Sequence, residues 1–292
     1  MSGFDLLFIG HTYRDGVRPF RREPIRTVGG ALIYGAMAAA RAGAKVAAVT
    51  KLAEPDRGLL APLEEAGVHC IVLPAPVTSE FEVVYLAEDM ERREIYQRAC
   101  AGAFEPAEVP SLGARWTHLA GNARGEFPLD LVRHLKARAR PLSLDLQGFI
   151  RQVDPDTRRI AVRDFPEKRD LVSLADAVKL DAAEAEILTG EADPDRAIRH
   201  VASWGCPEVV LTRTEGVLGR FGTRTAFARF TNSSALGRNG RGDTTFAAYL
   251  AWRLTHSPEE SLLFAAALAS IKLETPGPFA GTLQEVLARL EA

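Results

Sequence analysis

"ALGRNGRGDTTFAAYLAWRL", residues 235–254, sets Gly237, Gly240 and Gly242 within six residues, ahead of a single carboxylate, Asp243, and a long run. Ordering a glycine in regular structure costs about 0.5–1 kcal/mol against alanine, so such a cluster marks a sharp bend or a close approach. After Asp243 the apolar residues Phe246, Ala247, Leu250, Ala251 and Leu254 recur at three- and four-residue steps, which predicts a helix. Gly240, Arg241 and Gly242 then fall at its N-terminus with their amide hydrogens free, an arrangement suited to an anion. Asp243 admits two readings at this point. It takes a proton beside charge stabilised by those amides, or it simply caps the helix.

Outward from this stretch, short apolar runs alternate with helical patterns. Strands are expected at 5–10, 45–52, 69–74, 117–121, 142–148, 177–181 and 208–212, and helices at 31–42, 57–66, 128–138, 182–188 and 194–204. The alternation predicts an α/β fold, a mainly parallel sheet covered on both faces, whose ligands bind beyond the carboxyl ends of the strands. Two stretches depart from it. Residues 80–102 read as two strands around a polar "EDMERRE" turn, either a lid over a pocket or an extra edge hairpin, and 217–230 read as a second hairpin. The end of the chain, 258–292, reads as helical apart from "TPGPFAG". No internal repeat or linker divides the chain, so 1–292 is expected to be one domain.

The 292 residues are 47% hydrophobic and 25% charged with a formal net charge of −2, which describes an ordinary soluble protein. That balance supports neither nucleic acid nor a membrane surface as main partner. No run approaches the ~18 apolar residues of a membrane span. Three scattered cysteines point away from a disulfide framework and towards a cytoplasmic location, and the six histidines lack metal-ligand spacing.

Two further constellations carry chemistry. In "TVGGALIYGAMAAARAGAKVAAVTKL" (27–52), Gly29 and Gly30 precede a helix of small residues; they permit a ligand to approach the backbone, or serve tight helix–strand packing. In "VKLDAAEAEILTG" (178–190), Asp181 and Glu184 lie one turn apart at a strand end. They either cap the next helix or hold Mg²⁺ through water.

Together and in this order, these motifs resemble the ribokinase/PfkB family of carbohydrate kinases. "GRGDTTFAAYL" matches the family's Gly-x-Gly-Asp loop, "GGALIYGAMAAARAGAKVAAVTKL" its first signature, and "DAAE" its Asn-x-x-Glu metal motif with Asp181 in place of Asn. The resemblance implies a three-layer α/β/α ribokinase-like domain with a small β lid, and transfer of the γ-phosphoryl group of ATP to a hydroxyl of a small sugar or polyol. It makes Asp243 the general base and the amides of Gly240, Arg241 and Gly242 the anion site, with Arg241 adding a cation or facing solvent. Glu184 and Asp181 would hold Mg²⁺. The nucleotide would lie along Asp181, Thr212, Thr214 and Gly216, with adenine near 265–272. "FIGHTYRD" puts Asp15 at the family's substrate-hydroxyl position, beside Gly29 and Gly30, and Asn122, Gln147 and Arg151 are further acceptor contacts or loop caps.

Departures bear on the substrate. Tyr34 stands where many sugar kinases have a substrate-binding Asn, Gly237 where the loop often begins with Asp, and Arg241 where Ala is common. "GRxGRGDT" with "GEFP" (125–128), "LDLQGFIR" (144–151) and "PGP" (276–278) resembles a subgroup associated with inositol and related polyols. A homodimer through the lid is a further expectation. The alternatives on the same fold are a non-catalytic sugar or nucleotide sensor and a nucleoside kinase. A nicotinamide-dependent oxidoreductase is discounted, because "GHTYRDG" after the first strand lacks the G-x-G-x-x-G spacing.

Overall fold

The computed structural model describes residues 3–21, 23–87, 93–138 and 141–291. The strands in chain order are β1 (Phe4–Ile9), β2 (Tyr13–Arg18), β3 (Ile25–Gly29), β4 (Val46–Leu52), β5 (His69–Pro74), β6 (Ser79–Tyr85), β7 (Arg93–Ala99), β8 (Ala114–Leu119), β9 (Leu142–Asp145), β10 (Arg151–Val153), β11 (Ile160–Val162), β12 (Ala177–Asp181), β13 (Glu208–Arg213), β14 (Gly216–Phe221) and β15 (Arg224–Arg229). The helices are α1 (Ala31–Arg41), α2 (Ala61–Glu65), α3 (Leu129–Ala137), α4 (Gln147–Ile150), α5 (Lys168–Ser173), α6 (Ala182–Thr189), α7 (Pro194–Ala202), α8 (Arg241–Arg253), α9 (Pro258–Leu273) and α10 (Leu283–Glu291).

The main sheet runs β15-β14-β13-β12-β9-β8-β1-β4-β5. From β5 to β13 every pairing is parallel, and the β14–β15 hairpin adds an antiparallel edge. Helices bury both faces, which is why the inner strands are nearly continuous apolar runs; β4, "VAAVTKL", is buried at every position. One core joins α1, α8 and α9 to the sheet, and the other joins α3, α6 and α7 to the opposite face. The small residues of α1 let it lie close to the sheet and to α8: Gly35 faces the Phe8 ring and Ala247. α9 is apolar nearly all round because it packs against α8, α10 and the β14–β15 edge.

A second sheet, in the order β3-β2-β6-β7, stands apart from the first. The 80–102 stretch does form two antiparallel strands, β6 and β7, but they are half of a four-stranded sheet completed by β2 and β3. "YRDGVR" gave no strand expectation because it is half exposed and polar on both faces, so it has no two-residue apolar alternation to read. The "EDMERRE" turn falls largely on 88–92, outside the described residues. Two other differences are local. The expected strand 142–148 stops at Asp145 and turns into α4, and the β10–β11 hairpin, with "DPDT" in its turn, was not anticipated.

Phe8 links the sheet to its covering helices, fully buried and 5.3 Å from the His118 ring, which lies 5.3 Å from Phe246. Phe8→Ala should cost about 3–5 kcal/mol through the cavity it leaves. The check is a lower urea midpoint at unchanged slope.

Candidate active site

The carboxyl ends of the parallel strands converge on one cleft of about 230 Å³. The loop after β8 delivers Asn122, α4 and the start of β10 deliver Gln147 and Arg151, β12 delivers Lys179 and Asp181, and β13 delivers Thr212. The first residues of α8 form the floor, while Asp15 on β2 and the apolar Phe81, Val83 and Ile95 of β6 and β7 close the opposite side. This is where an open parallel sheet offers its ligand crevice.

The glycine loop has the expected geometry with one exception. Gly240 takes a left-handed conformation, φ 72°, at the N-cap of α8, and the Tyr34 ring lies so close that any side chain there would collide with it. Among the described residues the amides of Gly240, Gly242 and Asp243 donate to no protein group, whereas the Arg241 amide reaches the Arg238 carbonyl at 3.4 Å. Three of these four N–H groups are therefore left for an anion, at the positive end of a 13-residue helix. The Arg241 side chain is half-buried and lines the cleft with Arg238 rather than pointing into solvent.

Behind the loop lies a buried charge cluster. Lys179 Nζ donates to Asp145 Oδ2 at 3.0 Å and stands 4.0 Å from Asp243 Oδ1. Burial opposes the ammonium, but Asp145 and Asp243 outweigh it and raise its pKa; burial pushes Asp145 up while the Lys179 charge opposes that shift. Sequence reasoning missed both residues. An apolar strand carrying a single lysine, "AVKLD", was the available signal, since an inward-facing lysine in a sheet covered on both sides requires a partner.

On the other side, Asp15 Oδ1, Asn122 Nδ2 and Asp243 Oδ1 are buried polar atoms without a hydrogen-bond partner. Asn122 is fixed by its own oxygen, which accepts from the Ala31 amide at 3.0 Å, and by Glu126, which accepts from the amides of Asn122 and Ala123. Gly29 leaves the space that the Asp15 carboxylate fills, because a Cβ there would run into it. Burial, then the charge of Asp243, pushes Asp15 up to about 7.

The remaining expected residues are placed differently. Asp181 and Glu184 form a complete capping box on α6: Glu184 N donates to Asp181 Oδ1 at 2.8 Å and Asp181 N to Glu184 Oε2 at 2.9 Å. Asp181 borders the cleft with its second oxygen uncommitted, which fits a Mg²⁺ held through water. Glu184 is buried behind it, 3.9 Å from Arg151, and does not line the cleft. Neither do Thr214, which is exposed, or Gly216, which gives way to Phe227 and the Ala228 carbonyl. Residues 265–272 lie on α9 and are almost wholly buried in the core. Among the described residues no cluster of three or more His, Cys, Asp or Glu side chains could hold a metal, and no helix is long and apolar enough to cross a membrane.

Residues 14–284 match the family described as pfkB family carbohydrate kinase. The chain belongs to the pfkB family of carbohydrate kinases. It is a phosphotransferase of the ribokinase-like fold, acting on the hydroxyl of a sugar or polyol. Among solved structures, a pyrophosphate-dependent kinase in the ribokinase family, complexed with a pyrophosphate analogue and myo-inositol, is 30% identical with a TM-score of 0.89, over 97% of this chain and 99% of that one. A sulfate complex of a pyrophosphate-dependent kinase in the ribokinase family is 31% identical with a TM-score of 0.88, over 97% and 99%. Arabidopsis thaliana ribokinase, solved with ribose and ATP, is 19% identical with a TM-score of 0.77 over 100% of both chains and shares the fold. No protein of curated function matches the chain.

Asp15 supplies a pH dependence. Its carboxyl is neutral below about 7 and ionised above it, and only an ionised carboxyl makes charge-assisted bonds with a hydroxyl. The kinase's KM for its acceptor should therefore fall as pH rises through about 7, and Asp15→Asn should flatten that profile. The linked stability runs the other way. Because the folded pKa lies above 3.8, this group makes the fold less stable as pH rises from about 4 through 7.

Proposed function

We propose that this kinase phosphorylates a hydroxyl of a cyclitol or similar small polyol, with Asp243 as general base. The observation that carries the reading is the Asp243 carboxylate, its Oδ1 without a hydrogen bond, beside the free amides that open α8. Phosphoryl transfer needs positioning and charge neutralisation more than covalent chemistry. The acceptor lies among Asp15, Gly29, Gly30, Tyr34, Asn122, Gln147 and Arg151. Asp15 and Asn122 present a hydroxyl acceptor and donor, and Asp243 takes the proton as that hydroxyl attacks. The amides of Gly240, Gly242 and Asp243 receive the charge that grows on the transferred group. The myo-inositol complex of the 30%-identical kinase supports a cyclitol as the first acceptor to try.

The donor expected from the sequence is ATP, with Mg²⁺ near Asp181 neutralising its phosphates, and ATP complexes occur on this fold. Pyrophosphate is a second donor reading, and a specific observation favours it. The cleft gathers Arg151, Lys179, Arg238 and Arg241 but stops short of Thr214, Gly216 and 265–272, where the nucleoside was expected. Arg238 and Arg241, which form no ion pair among the described residues, suit a compact polyanion together with the free amides of the α8 loop. The pyrophosphate-dependent kinases at 30–31% identity support the same reading.

The test is a matrix of ATP and pyrophosphate, each with Mg²⁺, against cyclitols, pentoses, hexoses, keto-acid sugars and nucleosides. Turnover with a cyclitol carries the proposal; turnover with nucleosides alone overturns it. Asp243→Asn keeps the shape of the side chain, so melting temperature should barely move while kcat falls on the order of 10²–10⁴-fold. Near-normal turnover in that variant would leave Asp243 a helix cap.

A further inference from the structure

Lys272 closes α9 and is 1% exposed. Its ammonium donates to the backbone carbonyls of Gly237 and Asn239, and it lies 5.2 Å from the centre of the Tyr34 ring. Among the described residues it forms no ion pair, although a buried charge is ordinarily matched by an opposite one. Carbonyl oxygens and an aromatic face are instead the surroundings that proteins give to a bare monovalent cation.

What those carbonyls belong to matters. The Gly237 amide donates to the Leu273 carbonyl at 2.8 Å, and a Cβ at Gly237 would collide with the carbonyls of Lys272 and Thr275. The loop therefore rests directly on the end of α9. A trans peptide carries its C=O and N–H on opposite sides. With the Asn239 carbonyl turned down onto Lys272, the Gly240 N–H of the same peptide is turned away from α9, where it meets no protein acceptor. Tyr34 completes the arrangement, its ring packed against Gly240 and within 5.2 Å of the ammonium.

We propose that Lys272 is a positioning residue whose ammonium acts as a built-in monovalent cation, locking the Asn239–Gly240 peptide so that its amide faces the transferring phosphoryl group, and making the kinase independent of added potassium. The inference rests on the phosphoryl-transfer reading above. Burial lowers the Lys272 pKa to about 8, with the Asp243 charge opposing and Arg241 adding, so the ammonium remains the main form at neutral pH.

The first experiment needs no variant. Wild-type turnover, with the donor and polyol found active, is compared in buffers whose monovalent cation is tetramethylammonium or potassium. Equal rates are expected, and stimulation by potassium overturns the proposal. In Lys272→Met, kcat should fall on the order of 10²-fold, the worth of a lost oxyanion donor, with acceptor KM little changed; a wild-type kcat overturns it. In Lys272→Ala, potassium or ammonium should restore part of the rate, which a merely structural side chain would not allow, and absence of rescue refutes the cation role. If these variants do not fold, the wild-type comparison decides. Calorimetric binding of inorganic pyrophosphate separates the two levels of argument. A wild type inactive on every substrate pair sinks the phosphoryl-transfer reading, while weaker pyrophosphate binding by Lys272→Met still supports the locked loop and equal binding removes it.

Discussion

Lys179 is a buried ammonium between two carboxylates, and the site is arranged around it. Asp145 and Lys179 are register partners on the neighbouring parallel strands β9 and β12, which is why their side chains meet. Leaving either charge alone in the interior would cost several kcal/mol, so this pair fixes the register of the two strands as firmly as their apolar residues do. A slip of one residue would send Lys179 to the opposite face. The pair also decides how near α8 can come: the end of the Lys179 side chain lies within 2.7 Å of where a Cβ of residue 242 would be, so only glycine brings the helix N-terminus this close without displacing it. Asp243, one residue on, then shares the ammonium.

The proposed acceptor side depends on the smaller sheet. Asp15 lies on β2, opposite Thr27 of β3 and Phe81 of β6, so pairing within that sheet sets the carboxylate over the cleft. The small sheet is tied to the main one by Tyr13, whose hydroxyl donates to Glu126, the residue that also fixes the Asn122 loop. Burial lifts Glu126 to about 7, with the Tyr13 bond opposing. A second tie runs from the β10–β11 hairpin, where the Arg158 carbonyl accepts from the Gln97 amide at 2.9 Å. The hairpin that begins with Arg151 therefore also braces β7, and movement of the small sheet would disturb both ends of the acceptor pocket together.

The framework and the α8 loop were legible because periodicity and glycine spacing report backbone demands, and parallel strands buried on both faces announce themselves as apolar runs. Asp15, Gly30, Tyr34, Asn122, Gln147, Arg151, Asp181, Thr212 and the 240–243 loop do meet in one cleft. Gly29, Glu184, Thr214 and Gly216 do not line it. Glu184 illustrates why. A carboxylate three residues after Asp181 satisfies a capping box as well as a metal, and one chain cannot say which lone pairs are committed. Lys179, Asp145 and Lys272 were hidden for the opposite reason. Their partners lie 34 residues away, or, for Lys272, are main-chain carbonyls at 237 and 239, and no spacing rule joins them.

The unpartnered atoms give the cleft its direction. Asp15 Oδ1 and Asn122 Nδ2 each forgo a hydrogen bond in the protein alone, a penalty of about 1–3 kcal/mol apiece, and Asp243 Oδ1 makes no hydrogen bond but lies 4.0 Å from the Lys179 ammonium. A ligand recovers it only by presenting hydroxyls to both kinds of group, since Asn122 donates while the two carboxylates accept. An analogue lacking one of those hydroxyls would leave a buried group unpaired and bind correspondingly less well. Across the cleft the balance is reversed, with free amides and the side chains of Arg238 and Arg241 offering donors and positive charge. Under the proposed reaction a neutral polyol and a polyanion can each sit well in one orientation only. Asp243 lies at the boundary, the last amide of the donor side and the last carboxylate of the acceptor side, which is the position that removing a proton during transfer requires.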